Sequence, residues 1–142
     1  MFAIPRDRAV VAVLAALLVS CGGDTMTNSD SPTMVKFAGD GQSAAVGNAV
    51  AVRPAVKVTD KNNAVVAGAT VTFAVASGGG SITGGTAVTG ADGVATVGSW
   101  TLGNTAGSNT LTAKAVGTIG SPLTFTATAT GSGITINPAT FR

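Results

Sequence analysis

A chain of 142 residues, a tenth of them charged and none of them His, Tyr or Glu, has room for one domain of ordinary size and few groups suited to catalysis. Apolar residues reach 45% while aromatics stay at 4%, so a core must be assembled mostly from Ala and Val, and the formal charge of +2 includes Arg6, Asp7 and Arg8 near the start. No basic stripe interleaved with aromatics is present, which excludes nucleic acid as an expected partner, and Val, Ile, Leu and Phe recur too regularly for the 20 glycines to signal disorder.

Residues 1–20 read as an export signal. Arg6 and Arg8 precede the apolar run Ala9-Val-Val-Ala-Val-Leu-Ala-Ala-Leu-Leu-Val19. Those eleven residues rise about 17 Å as a helix against a hydrocarbon core of about 30 Å, too short to span. The run ends in Leu18-Val19-Ser20-Cys21, which resembles the lipobox of bacterial lipoproteins: Leu three positions before the Cys, a small residue directly before it. The resemblance implies cleavage before Cys21, a diacylglycerol on its thiol and acylation of the new amino group. Leu18 disfavours the small-x-small site of a soluble secreted product. Cys21 is the one cysteine, so no intrachain disulfide can form, and a buried or dimerising thiol fits poorly between an apolar leader and a polar tether. Two or three acyl chains at about 0.8 kcal/mol per buried methylene anchor a protein durably. The membrane is therefore an expected partner. Gly22 rather than Asp after the cysteine points, by the sorting habit of enteric bacteria, to the outer membrane, on its periplasmic or surface face.

Residues 21–32 are expected to be the lipidated cysteine and a flexible tether rich in Gly, Ser, Thr, Asn and Asp. The ten residues from 22 to 31 reach about 35 Å when stretched. From Thr33 to Thr130 the apolar period is two, the signature of half-buried strands. Thr70-Val-Thr-Phe-Ala-Val-Ala76 places Val71, Phe73 and Val75 on one face, and Leu123-Thr-Phe-Thr-Ala-Thr-Ala-Thr130 turns four threonines outward. Further strands are expected at 34–37, 43–46, 55–59, 86–88, 94–102 and 109–115. Turn signals separate them at Asp60-Lys-Asn-Asn63, Gly78-Gly-Gly80, Ala91-Asp-Gly93 and Gly103-Asn-Thr-Ala-Gly107.

Within 94–102, Ala95 and Val97 share one face, Trp100 and Leu102 another. A β-bulge at Gly98-Ser99 would bring all four to the core side, with Trp100 as its central anchor. About seven or eight strands in about 100 residues fit an all-β fold, an immunoglobulin-like two-sheet antiparallel β-sandwich. The tail at 131–142, with Ile134-Thr-Ile136 and Phe141, reads as a further strand or a frayed end.

Several blocks in order, Asp40-Gly-Gln-Ser, Val56-Lys-Val-Thr-Asp60, Val66-Ala-Gly-Ala-Thr-Val-Thr-Phe-Ala-Val75, Ser77-Gly-Gly-Gly-Ser-Ile82, Ala91-Asp-Gly-Val-Ala95 and Trp100-Thr-Leu-Gly-Asn-Thr-Ala-Gly107, resemble the group 1 bacterial immunoglobulin-like domain of the invasin and intimin type. The resemblance spans roughly residues 34–130. It implies a sandwich used as a stalk or cell-adhesion module on bacterial surfaces. The matched positions are turns and core, so no binding residues carry over.

Chemical sites are few. Asp60 with Asn62 and Asn63 offers oxygens to calcium, but one carboxylate without EF-hand spacing reads better as an Asx-type turn. Gly78-Gly-Gly80 lacks the Gly-Lys-Ser/Thr of a phosphate loop. Without His there is no Ser-His triad and no base for Cys21, and transition metals lack nitrogen and sulfur ligands. Asp40, Asp60 and Asp92 fall in turns rather than flanking a glycosidase cleft, and Lys57, Lys61 and Lys114 read as solvated. The expectation is a non-enzymatic, lipid-anchored module without catalytic residues, metal, cofactor or small-molecule substrate. It acts as a structural spacer. The alternative is a recognition module binding a protein or glycan through loops or an edge strand, for which 123–130 is the candidate edge.

Overall fold

The computed structural model describes residues 31–131. The leader at 1–20, Cys21 and the tether through Asp30, and the tail from Ser132 onward lie outside the described residues. Among the described residues the strands are β1 (Thr33–Ala38), β2 (Gln42–Ala45), β3 (Ala55–Thr59), β4 (Thr70–Ser77), β5 (Ser81–Thr83), β6 (Thr86–Val88), β7 (Val94–Thr96), β8 (Ser99–Thr101), β9 (Gly107–Lys114) and β10 (Leu123–Thr130). Alternating Thr with Val, Leu, Phe or Ala suits a pleated ribbon with one dry face, and glycines break the ribbon wherever the chain must reverse.

Two layers enclose the core. One is a five-stranded sheet in the order β2-β10-β9-β4-β6; the other is divided into β1-β3-β7 and a short β5-β8 ladder. From the five-stranded sheet Val71, Phe73, Leu111, Ala113, Phe125, Ala127 and Ala129 point inward, and Met34, Val56, Val58, Ala95, Val97, Trp100 and Leu102 meet them. Burying each larger aliphatic or Phe side chain contributes about 1.5–3 kcal/mol. Ala113, Ala127 and Ala129 belong to the same buried cluster as Trp100. Three aromatic rings, Phe73, Phe125 and Trp100, stand among Val, Ala, Leu and Met side chains in this interior.

Register fixes which end is which. In the antiparallel β9–β10 pair, Leu123 lies opposite Ala113 at one end and Ala129 opposite Gly107 at the other. Thr33, where β1 begins, bridges Ile119 in the β9–β10 connection, while Thr130, where β10 ends, pairs with Ala45 of β2. The chain therefore joins the sandwich at an N-terminal pole, beside the β9–β10 connection, and leaves it at the opposite, C-terminal pole.

Most expected strands are present within a residue or two. Three readings need correction. Residues 94–102 are not one bulged strand: β7 pairs with β3, and after Val97-Gly98 the chain crosses to pair with β5 as β8. Ala95, Val97, Trp100 and Leu102 all reach the core as expected, by a change of sheet rather than a bulge in one ladder. A Cβ on Gly98 would lie 2.8 Å from the Thr83 carbonyl oxygen, so the crossing depends on glycine there. Residues 81–83, assigned to no strand after the turn at Gly78-Gly-Gly80, form β5; glycines on both sides hid it.

The third correction concerns the proposed edge. β10 is interior, with β9 on one side and β2 pairing in parallel on the other, Ala127 opposite Gln42 through Thr130 opposite Ala45. Before that ladder starts, Gly41 N–H donates to the Thr126 carbonyl at 2.9 Å, and Thr126 N–H donates to Asp40 Oδ1 at 2.8 Å. Over Thr126–Thr130 the side of β10 away from β9 is therefore occupied, because a four-residue strand far away in sequence returns to cover it.

Candidate functional site

The three aspartates of the described region each serve a turn or a strand junction. Asp60 Oδ1 accepts the backbone N–H of Asn62 at 2.8 Å and of Ala64 at 2.9 Å, and Asn63 adopts φ 62°. Asp60 Oδ1 thus closes the turn as an Asx-type acceptor. Asp92 Oδ1 accepts the Val94 N–H at 3.1 Å in the same manner. Among the described residues no three His, Cys, Asp or Glu side chains converge on a point where a metal would sit. Lys61 and Lys114 are exposed and Lys57 is half-buried on the outer face of β3. Cys21 lies outside the described residues.

Asp40 has a wider role than its turn position suggested. Its Oδ2 meets the Lys36 amine at 2.6 Å, and its Oδ1 also receives the Thr126 hydroxyl at 3.3 Å. Partial burial disfavours the ionised carboxyl, but the hydrogen bond and charge of Lys36 and the donations from Thr126 outweigh it and hold the pKa below the usual carboxylate value. The Lys36 amine also sits 5.6 Å from the centre of the Phe125 ring. This small network closes the side of the sandwich between β1 and β10. Sequence reasoning missed it because its partners are 86 residues apart.

Among the described residues a concave feature lies at the C-terminal pole, where the β2–β3, β4–β5 and β8–β9 connections meet. A cavity of about 170 Å³ is lined by Gly47, Gly79, Gly80 and Gly103 together with Ser81, Thr101 and Asn104. Glycine lets these backbones touch. A Cβ on Gly103 would overlap the Gly78 carbonyl oxygen, one on Gly80 the Thr101 carbonyl oxygen, and one on Gly78 the Asn109 side chain. Asn109, itself buried, ties the loops together: its Oδ1 accepts the Gly103 N–H at 3.0 Å and its Nδ2 donates to the Gly107 carbonyl at 3.2 Å. Gly47 N–H donates to the Gly103 carbonyl at 3.1 Å. The lining is uncharged. It offers hydroxyls, an amide and backbone groups that can hold a small neutral polar moiety, and no group that exchanges a proton near neutral pH.

No protein-family profile matches the chain, and no curated protein matches it. Among solved structures, one described as the "D00-D0 domain of Intimin" superposes with a TM-score of 0.58 at 21% identity, over 75% of this chain and 51% of that one. The fold is that of an intimin immunoglobulin-like domain. The chain spans about half the length of the intimin structure it matches. The fold expected from the alternating strands and from the turn blocks is therefore the fold present; at this identity the likeness speaks to architecture alone.

Proposed function

We propose that this protein is a non-enzymatic bacterial envelope module in which an intimin-like sandwich, held to the outer membrane by acyl chains on Cys21, acts as an in-line spacer. The observation that carries the spacer reading is the placement of the two chain ends at opposite poles: β1 begins beside Ile119, and β10 ends beside Ala45 and Gly107. A domain threaded this way adds its own length to whatever the chain connects. β10, with eight residues at about 3.4 Å each, spans about 27 Å. The intimin-like fold supports an envelope setting, and the Leu18-Val19-Ser20-Cys21 run supports the lipid anchor.

Intact mass and membrane fractionation of wild type and Cys21→Ala test the anchor. Wild type should carry acyl mass on an N-terminal Cys21 and sediment with membranes, and the variant should lack the acyl mass and leave the membrane fraction. A wild-type chain that starts elsewhere without lipid overturns the reading. Recognition of a protein or glycan is the second reading, favoured by the neutral cavity at the C-terminal pole rather than by the β10 edge, which is paired. Saturable binding of intact cells to a defined partner on a protein and glycan array, abolished by Asn104→Trp at the cavity wall, would establish recognition and displace the spacer role.

A further inference from the structure

The two outward faces of the sandwich differ in kind. The five-stranded sheet shows water a field of hydroxyls, with Thr124, Thr126, Thr128 and Thr130 of β10 all exposed. The outward face of β1-β3-β7 instead carries a cluster of exposed apolar side chains around Thr33, Thr59 and Lys57. Its register sets Ile119, Thr33, Thr59 and Val65 in one row across four segments, and Val35, Lys57 and Val94 in the next. Residues directly opposite in a ladder point to the same side, so these side chains share one surface. Ile119 is 48% exposed, Val65 44% and Val35 46%, and Phe37, the extra residue of the β1 bulge, is 59% exposed beside them. Scattered apolar residues need no explanation, but a contiguous set on one face does.

We propose that this face lies against the headgroup and acyl boundary of the leaflet in which the protein's own anchor sits. The inference rests on the lipid-anchored reading of Cys21. Three observations select this occupant. The first is where the outside chain ends: the tether runs straight into β1, whose Thr33 and Val35 belong to the apolar rows, and Ile119 N–H donates to the Pro32 carbonyl at 2.8 Å. The face is thus stitched to the point at which the tether arrives, and the tether's ten residues reach no more than about 35 Å. The second is charge. Lys57 stands in the middle of the face with Val35 and Val94 on either side, and no acidic residue shares these rows. A second copy stacked face to face would bring two Lys57 ammonium groups together, which disfavours a homodimer. An anionic headgroup takes that ammonium while the neighbouring stems bury, the arrangement of interfacial amphipathic surfaces. The third is contrast, since the neutral threonine face opposite suits contact with water. The contact is weak by itself, is enforced by the high effective concentration that tethering supplies, and is released when the chain is drawn away from the leaflet and the domain acts as a spacer.

The test uses the full acylated chain, in which the Cys21 sulfur is consumed as a thioether and a new cysteine is the sole reactive thiol. An environment-sensitive fluorophore is placed at Val35→Cys or, on the opposite face, at Thr128→Cys, in vesicles of phosphatidylethanolamine and phosphatidylglycerol. The label at position 35 should show blue-shifted emission, quenching by lipid-borne quenchers and a several-fold loss of access to aqueous quencher; at 128 it should remain wet. Adding Lys57→Glu, or replacing the vesicles by phosphatidylcholine alone, should reduce the shielding at 35. Equal water access at 35 and 128 on a chain whose acyl mass is confirmed overturns this inference and leaves the anchor standing. Shielding at 35 that grows with protein density at fixed lipid composition assigns the face to a second copy and also overturns it. Absence of acyl mass removes the anchor and this inference together, and the mass spectrum alone identifies that case.

Discussion

Trp100 has its entire ring out of water, yet its indole Nε1 has no acceptor among the described residues. The ring is therefore held by packing. Trp100→Ala should cost about 3–5 kcal/mol in urea unfolding. Trp100→Phe should cost clearly less, because no hydrogen bond is lost with the N–H. Asp40 carries a pH signature. Its carboxyl sits below the ordinary value of about 3.9 in the folded state, so the stability it adds is present above that value and is lost as pH falls through the folded-state pKa. Asp40→Asn should flatten the acid limb of the unfolding midpoint between pH 4 and lower values, a change that urea titrations at several pH values would show. At this scale the sequence was legible where alternation governs, as in Val71, Phe73, Phe125 and Trp100. It was silent on Asp40 and Asn109, whose partners are set by tertiary closure rather than by neighbours.

Single ladders explain most of what could be read from pattern and what could not. β3, β6 and β10 were visible at their full extent because each alternates cleanly between turn signals. β5, no longer than β6 but set between Gly78-Gly-Gly80 and Gly84-Gly85, was lost among glycines, and the β7–β8 change of sheet was mistaken for a bulge because both devices return Trp100 to the core. Only pairing distinguishes them. The same reasoning failed for β10, since alternation reports which face is buried and nothing about which edge is covered. Asn109 is the testable joint between β9 and the preceding connection: Asn109→Ala strands the buried Gly103 N–H and should cost about 1–3 kcal/mol. Gly103→Ala, whose new methyl overlaps the Gly78 carbonyl, should destabilise by at least as much without altering any polar group. Chemical unfolding of both variants checks this, and a neutral Gly103→Ala would show that the C-terminal pole is looser than its backbone contacts indicate.

For the whole molecule, the first strand starts and the last strand ends at opposite poles of the sandwich, which is the geometry the spacer proposal draws on. The candidate site was least legible from sequence for a plain reason. The cavity at the C-terminal pole is walled largely by glycine backbones drawn from three connections, and glycine carries no chemical label to read.

The parallel β2–β10 ladder has a mechanical corollary. Tension applied through the chain pulls β10 from its end at Thr130 and pulls β2 the other way through β1, so the two strands are dragged past each other along their length. Hydrogen bonds loaded in this shear geometry share the force and break together, whereas a hairpin peeled from one end opens bond by bond. Stretching the sandwich between its termini should accordingly require a higher rupture force than pulling the β9–β10 hairpin apart from Gly107 and Ala129, and a Ser43→Pro break in the short clasp should lower the first force selectively.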